Sequence, residues 1–404
     1  MRPYPSSTVR LAKRLRETRQ AAAAQSRRTP RLLIATVAAL VFAALAWPTV
    51  RAHLQAVAVL DLVANKPVPA PLRWLVSGRV TTTDITLPLA SGPIRARLYT
   101  PVGKPNAPAF IVLHGVHYLG MDEPRLIAFA ASMASCGLRV LTPELLAIKD
   151  YHVGPASIDS IGDSAAWLAH QNGDRPVGIM GLSFSGSLSL LAAAAPHFRP
   201  NIKFVVAIGS EDEMVRVAEY YRTGEDPRPN GSNELLPPHE YGALVLEYEN
   251  IEEFVPRHDV PALRAVLRAH LYEDPVAEAA AQDHLNPIQA AMAKQLMDTT
   301  SPVTRRRLAE VQTRHIEDMA GVSPHGHLGQ LTTPVYLLHG ADDNIIPAAE
   351  TQWIGSELPS ETLKASLITP VLSHIDMDGA SVTLADNLRL VHFLGLILQA
   401  AESR

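Results

Sequence analysis

The sequence predicts an α/β fold: a mostly parallel central sheet with helices on both faces and a helical cap inserted late in the chain. Three observations predict it. Short apolar runs closed by Gly or Pro alternate with helical patterns, the signature of βαβ units. The alternation breaks between about Ser210 and Leu331, in a section rich in helix formers, acids and histidines, and then resumes. The chain of 404 residues is 47% apolar, enough to fill a large core.

In chain order, residues 1–31 form a basic arm. Arg2, Arg10, Lys13, Arg14, Arg16, Arg19, Arg27, Arg28 and Arg31 face the single acid Glu17, so the arm carries +8 and the remainder −12 of an overall −4. A mildly acidic body gives no reason to expect nucleic-acid binding by the main domain. The uncharged run LLIATVAALVFAALAW follows, extended by Pro48, Thr49 and Val50. Residues 32–50 therefore read as a transmembrane anchor, close to the roughly 20 residues a helix needs to cross the hydrocarbon core. The basic flank predicts a single-pass topology with the N-terminus cytoplasmic and the main body extracytoplasmic. A cleaved signal peptide is the alternative, suggested by Ala44-Leu45-Ala46 and by Ser26-Arg27-Arg28. The lone Cys136 allows no intrachain disulfide, and its setting, FAASMASCG, reads as packed core.

Residues 51–78 read as a linker: LQAVAVLDLVA suggests an interfacial helix, and the prolines of NKPVPAP forbid regular structure. The core is expected over 79–210 and 332–404, with the cap at 211–331. VTTTDITLPL and IRARLYTP alternate like a hairpin around ASGP. AFIVLHG is a continuous apolar run, as expected of a strand buried on both faces. DEPRLIAFAASMASCG is a helix closed by Gly137, LRVLTPEL a strand, and SIDSIGDSAAWLAHQ a helix capped by Ser157. PVGIMGL, FSGSLSLLAAAA and KFVVAIG continue as strand, helix and strand. After the cap come the strand PVYLLHG, a helix from Ala348, the strand LKASLITP and an apolar helix from about Ser381.

Chemistry concentrates where strands end. GLSFSG, residues 181–186, has the form of a nucleophile elbow G-x-S-x-G with Ser185 in the second glycine slot. Ser183, Ser185 and Ser187 stand at every second position. An elbow is a tight strand-to-helix turn, and Ser183 directly follows the apolar run, whereas Ser185 falls in the first turn of the helix. Ser183 is thus the expected nucleophile, with Ser185 its rival. A serine hydroxyl needs a base, and the base needs an acid to fix its tautomer. Two later strand ends offer them: Asp342 and Asp343 in HGADDNIIP, and His374 in LSHIDMDG. His325-Gly326-His327 has no acid or cysteine at a convincing ligand spacing, so neither metal nor cofactor is expected. Asp376 and Asp378 lack the remaining ligands of a calcium loop.

From about Arg79 to the C-terminus, the cap excepted, the chain resembles the α/β-hydrolases. HGVH at 114–117, GLSFSG at 181–186, PVYLLHGADDNIIP at 334–347 and Ser373-His374 carry the resemblance. It looks closest to the serine aminopeptidase and dienelactone hydrolase-like branches. Their G-x-x-D-x-x-V-P pattern, matched by Gly340, Asp343, Ile346 and Pro347, implies Asp343 as the triad acid ahead of Asp342. The resemblance also implies an oxyanion hole from the N–H groups of Phe184 and Val116. The expected activity is cofactor-independent hydrolysis of a small-molecule carboxylic ester through an acyl-enzyme on Ser183, His374 and Asp343. A peptidase or amidase is the alternative enzyme, and an inactive, anchored binding protein the alternative of another class.

Overall fold

The computed structural model describes residues 40–76, 78–372 and 382–403, together with positions 16 and 37. The chain divides into two compact units, Met1–Ala52 and His53–Arg404. In the first, residues 40–52 are helical. Among the described residues no helix is long and apolar enough to cross a membrane. This corrects the expected single-pass anchor, and with it the membrane partner and the extracytoplasmic placement. Among the described residues the apolar stretch is broken by Arg51, with His53 and Gln55 following. The rest of the expected anchor and the basic arm, positions 16 and 37 apart, lies outside the described residues.

The second unit opens with helix α1 (53–63) and a 3-10 turn at Ala70–Leu75. Ala56, Ala58 and Val59 of α1 are buried, and Gln55 Nε2 donates to Cys136 O at 2.9 Å. Cys136 is buried, as its apolar setting predicts.

The sheet contains β1 (Val80–Leu89), β2 (Gly92–Pro101), β3 (Ala109–Leu113), β4 (Arg139–Pro143), β5 (Val177–Leu182) and β6 (Ile202–Ile208). A short cap hairpin supplies β7 (Glu225–Pro227) and β8 (Asn233–Leu235), and the sheet is completed by β9 (Val335–Gly340) and β10 (Leu363–Thr369). Its eight strands run in the order β1-β2-β4-β3-β5-β6-β9-β10. Only the β1–β2 and β2–β4 pairs are antiparallel; the other ladders are parallel. β3 is buried throughout, because helices cover both faces of the sheet. With its flanking helices, this is the α/β-hydrolase fold.

Helix α2 (Pro124–Ser135) joins β3 to β4. Helices α3 (Leu146–Lys149) and α4 (Pro155–Gln171) join β4 to β5, and α5 (Phe184–Ala194) joins β5 to β6. The chain thus leaves β3 toward one edge of the sheet and β5 toward the other. Such a switch opens a crevice at the carboxyl ends of the two strands. Helix α4 starts two residues before the expected cap: Pro155 takes the first helical position behind Gly154, and Ser157 lies buried inside the first turn.

Between β6 and β9 lie α6 (Met214–Thr223), the β7–β8 hairpin, α7 (Glu240–Glu249), α8 (Ile251–Phe254), α9 (Val260–Leu271), α10 (Pro275–Asp283), α11 (Pro287–Met297), α12 (Pro302–Arg314) and α13 (Ile316–Gly321). Helix α14 (Ala349–Glu357) follows β9, and α15 (Leu384–Glu402), capped by Thr383, closes the chain.

Candidate active site

Ser183 stands between β5 and α5 at φ 54° and ψ −135°. Non-glycine residues avoid this conformation, and holding one there costs about 1–3 kcal/mol. The end of β6 holds it in place. Ser183 N–H donates to Ile208 O at 2.7 Å, and Ser210 Oγ and Gly186 N–H donate to Ser183 O, both at 2.9 Å. The turn is tight enough to exclude side chains beside it: a Cβ on Gly181 would lie 2.5 Å from Gly186 N. Ser183 keeps 8% of its surface, while Ser185 and Ser187 keep none. Ser185 Oγ donates to His114 O at 2.5 Å, and Ser187 Oγ to Glu211 O at 2.6 Å. The serine in the usual glycine slot therefore ties α5 to the end of β3.

The loop after β3 lies against the elbow, since a Cβ on Gly115 would sit 3.3 Å from Ser183 Cβ. His114 organises this loop. Its Nε2 accepts from Leu145 N–H at 3.0 Å and its Nδ1 pairs with Gly115 O at 2.8 Å, which assigns the neutral Nδ1–H tautomer. Burial pushes its pKa down to about 4, so the ring stays neutral at ordinary pH. In a trans peptide the C=O and N–H point opposite ways. With Gly115 C=O turned to the ring, Val116 N–H faces away from it. Among the described residues, no acceptor is bonded to Val116 N–H or to Phe184 N–H, the first amide of α5.

Asp343 is buried in the loop after β9, whereas Asp342 is exposed. Asp343 Oδ1 accepts from Ile345 N–H and Ile346 N–H, each at 3.0 Å. Its Oδ2 is 3.4 Å from Nε2 of the fully buried His339. That ring is spoken for: Nε2 also meets Ile346 O at 2.8 Å, and Nδ1 meets Thr351 Oγ1 at 2.7 Å. His339 is a packing histidine locking β9 to its loop. His374, Asp376 and Asp378 lie outside the described residues.

Two groups near the site escape sequence reading. Glu211, after β6, is wholly buried with neither carboxyl oxygen hydrogen-bonded among the described residues. Asp212, His325 and Glu357 bring ligand-type atoms within 4.8 Å of one another. Arg216 Nη2 also donates to Asp212 Oδ2 at 2.9 Å and its Nε to Glu350 Oε1 at 2.6 Å, making this an ion-pair network between α6 and α14. His325 meets an acid 113 positions away, so no local spacing announces the group. Glu144 and Lys149, beside the loop after β4, pair with each other at 2.6 Å.

No protein-family model matches this sequence, and no curated protein matches it. Solved structures with a similar chain trace include three hydrolytic enzymes. The 2-hydroxy-6-oxo-6-phenylhexa-2,4-dienoate hydrolase from Rhodococcus sp. is 16% identical over 73% of this chain and 92% of its own, with a TM-score of 0.39. An esterase of Pyrobaculum calidifontis is 17% identical over 87% and 92%, at 0.43. Carboxyl esterase 2 from Tuber melanosporum is 16% identical over 80% and 86%, at 0.42. At such scores the likeness carries no weight beyond itself; strand order and register define the fold.

Proposed function

We propose that the protein is a serine hydrolase cleaving a small-molecule carboxylic ester, with Ser183 as nucleophile, His374 as general base and Asp343 as the orienting acid. The observation that carries this reading is the strained backbone of Ser183. The chain maintains an unfavourable conformation at the one serine of the elbow that retains surface, at a topological switch point. Ser183 Oγ attacks the ester carbonyl carbon and passes its proton to His374. The N–H groups of Val116 and Phe184 receive the oxyanion. Collapse of the tetrahedral intermediate expels the alkoxide, which takes the proton from His374 and leaves an acyl-enzyme. Water then repeats the sequence and releases the acid. An ester carbonyl has less resonance stabilisation than an amide, and an alkoxide is a far better leaving group than an amide anion, which favours esters over amides as substrates.

A fluorophosphonate probe is expected to label the full chain covalently. Ser183→Ala abolishes labelling and lowers ester turnover by about 10⁴-fold or more. Labelling that survives Ser183→Ala and disappears in Ser185→Ala refutes the assignment. A wild-type chain that neither labels nor turns over any member of an ester and arylamide panel is a binding protein on a hydrolase scaffold.

A further inference from the structure

The cap touches the site at both ends through one short stretch. His239, the residue capping α7, donates its backbone N–H to Asn344 O at 2.8 Å, next to Asp343. Tyr220 OH, on α6, reaches the same carbonyl at 3.0 Å. Two residues further on, Tyr241 OH donates to Val116 O at 2.9 Å. The first turn of α7 thus bridges the loop after β9 and the loop after β3.

We propose that this stretch braces the active site, with Tyr241 as a positioning residue that fixes the orientation of Val116 for oxyanion binding. The inference rests on Val116 N–H being one of the two oxyanion donors. Val116 lies between two peptide planes, and each is pinned from outside. The preceding plane is held by the His114 ring through Gly115 O at 2.8 Å. The following plane is held by Tyr241 through Val116 O. With both fixed, neither backbone torsion of Val116 is soft. Oxyanion stabilisation depends on donors already aimed where charge develops, and the second pin comes from the cap. A cap lifted off the core therefore loosens the oxyanion donor, so productive chemistry is coupled to cap closure.

The hydroxyl is suited to this task. Burial pushes the Tyr241 pKa upward, so it remains an O–H donor across the working range. Its ring sits 6.1 Å from that of the fully buried Tyr151, whose own hydroxyl donates to Leu271 O at 2.7 Å in the cap. A phenylalanine at 241 keeps that ring packing and loses the bond to Val116 together with the polar contact between the Tyr241 and Tyr151 hydroxyls.

The test compares the full-length wild type with Tyr241→Phe, each normalised to fluorophosphonate-titrated active sites. Loss of a single oxyanion donor costs about 10²–10³-fold in kcat; a donor retained but loosened is expected to cost about 10-fold. KM changes less than about 2-fold, and inhibition by a trifluoromethyl ketone, which mimics the tetrahedral oxyanion, weakens by the same factor as kcat. A purely structural effect lowers the number of titratable sites and leaves kcat per site and ketone affinity unchanged. That result, or a loss residing in KM, overturns the role of Tyr241. A wild type without labelling or turnover overturns the hydrolase reading itself, and this inference with it.

Discussion

The neighbouring strands β6 and β9 each end in a buried acid, and the two acids are solvated in opposite ways. Glu211 after β6 has no exposed surface and Asp343 after β9 has 2%. Asp343 Oδ1 receives two backbone N–H groups at 3.0 Å. No hydrogen bond of ordinary geometry reaches the Glu211 carboxyl among the described residues; Ser187 Oγ, bonded to the Glu211 backbone carbonyl, and the Glu211 N–H only partly offset its burial. Burial first, and then the nearby acids Glu350 and Asp212, push the Glu211 pKa well above its usual value. Burial therefore does not by itself make a triad acid. An orienting carboxylate must remain an anion beside an imidazolium, and fixed donors make that possible. The loop after β9 provides them. The end of β6 disfavours the ionised form of its carboxyl and uses its backbone to secure the elbow.

The largest expected effect tests this contrast. Asp343→Asn is expected to lower kcat by about 10⁴-fold, because the amide cannot stabilise the imidazolium and favours the wrong tautomer. Glu211→Gln is expected to change kcat by less than about 3-fold. Steady-state hydrolysis by both variants, normalised to fluorophosphonate-titrated sites, decides the matter. A collapse in Glu211→Gln with activity surviving in Asp343→Asn reverses the assignment.

Sequence alone reaches one half of this site more easily than the other. The strand–turn–helix setting of Ser183, on which its proposed role rests, is legible because its evidence is local: an apolar strand, a small-residue turn and a helix within about a dozen positions. The sheet is legible for the same reason, strand by strand. The choice of Asp343 over Asp342 as the proposed triad acid rests on a family pattern, and the burial and two amide donors that favour it exist only once β9 and its loop are folded. Tyr241 is invisible in sequence, since its bond to Val116 spans 125 positions. The β7–β8 hairpin is missed because three-residue strands have no room for periodicity. The expected membrane anchor fails for a related reason. Hydropathy registers the apolar run at 32–50, while among the described residues no helix is long and apolar enough to cross a membrane.

A second effect, of intermediate size, sharpens the comparison through stability. The folded-state pKa of Glu211 lies above its unfolded value, near 4.5. Within that window the native state binds one more proton than the unfolded chain, so stability falls as pH rises. The slope is about 1.4 kcal/mol per pH unit for one proton. Stability from this group is complete below pH 4.5 and declines until the raised folded pKa is passed. Glu211→Gln cannot titrate and lacks this slope. Urea unfolding of wild type and variant at pH 5, 6, 7 and 8 is expected to show the variant gaining on the wild type as pH rises. A difference that does not change with pH means that Glu211 is ionised in the fold.

The smallest effect concerns Asp342, the exposed neighbour of Asp343. Both are carboxyls at the end of the same strand, so a model based on electrostatic field alone predicts that either can serve His374. The solvation argument predicts otherwise. An exposed unit charge 5 Å from an imidazolium interacts through water by less than about 1 kcal/mol before salt screening reduces it further. It also lacks the fixed geometry that selects one tautomer. Asp342→Asn is expected to change kcat by less than about 2-fold at physiological ionic strength, with any residual difference vanishing in high salt. A loss of 10-fold or more that persists in high salt identifies Asp342 as a directly bonded partner of the base. The two amide donors on Asp343 then explain the shape of the loop and have no part in catalysis.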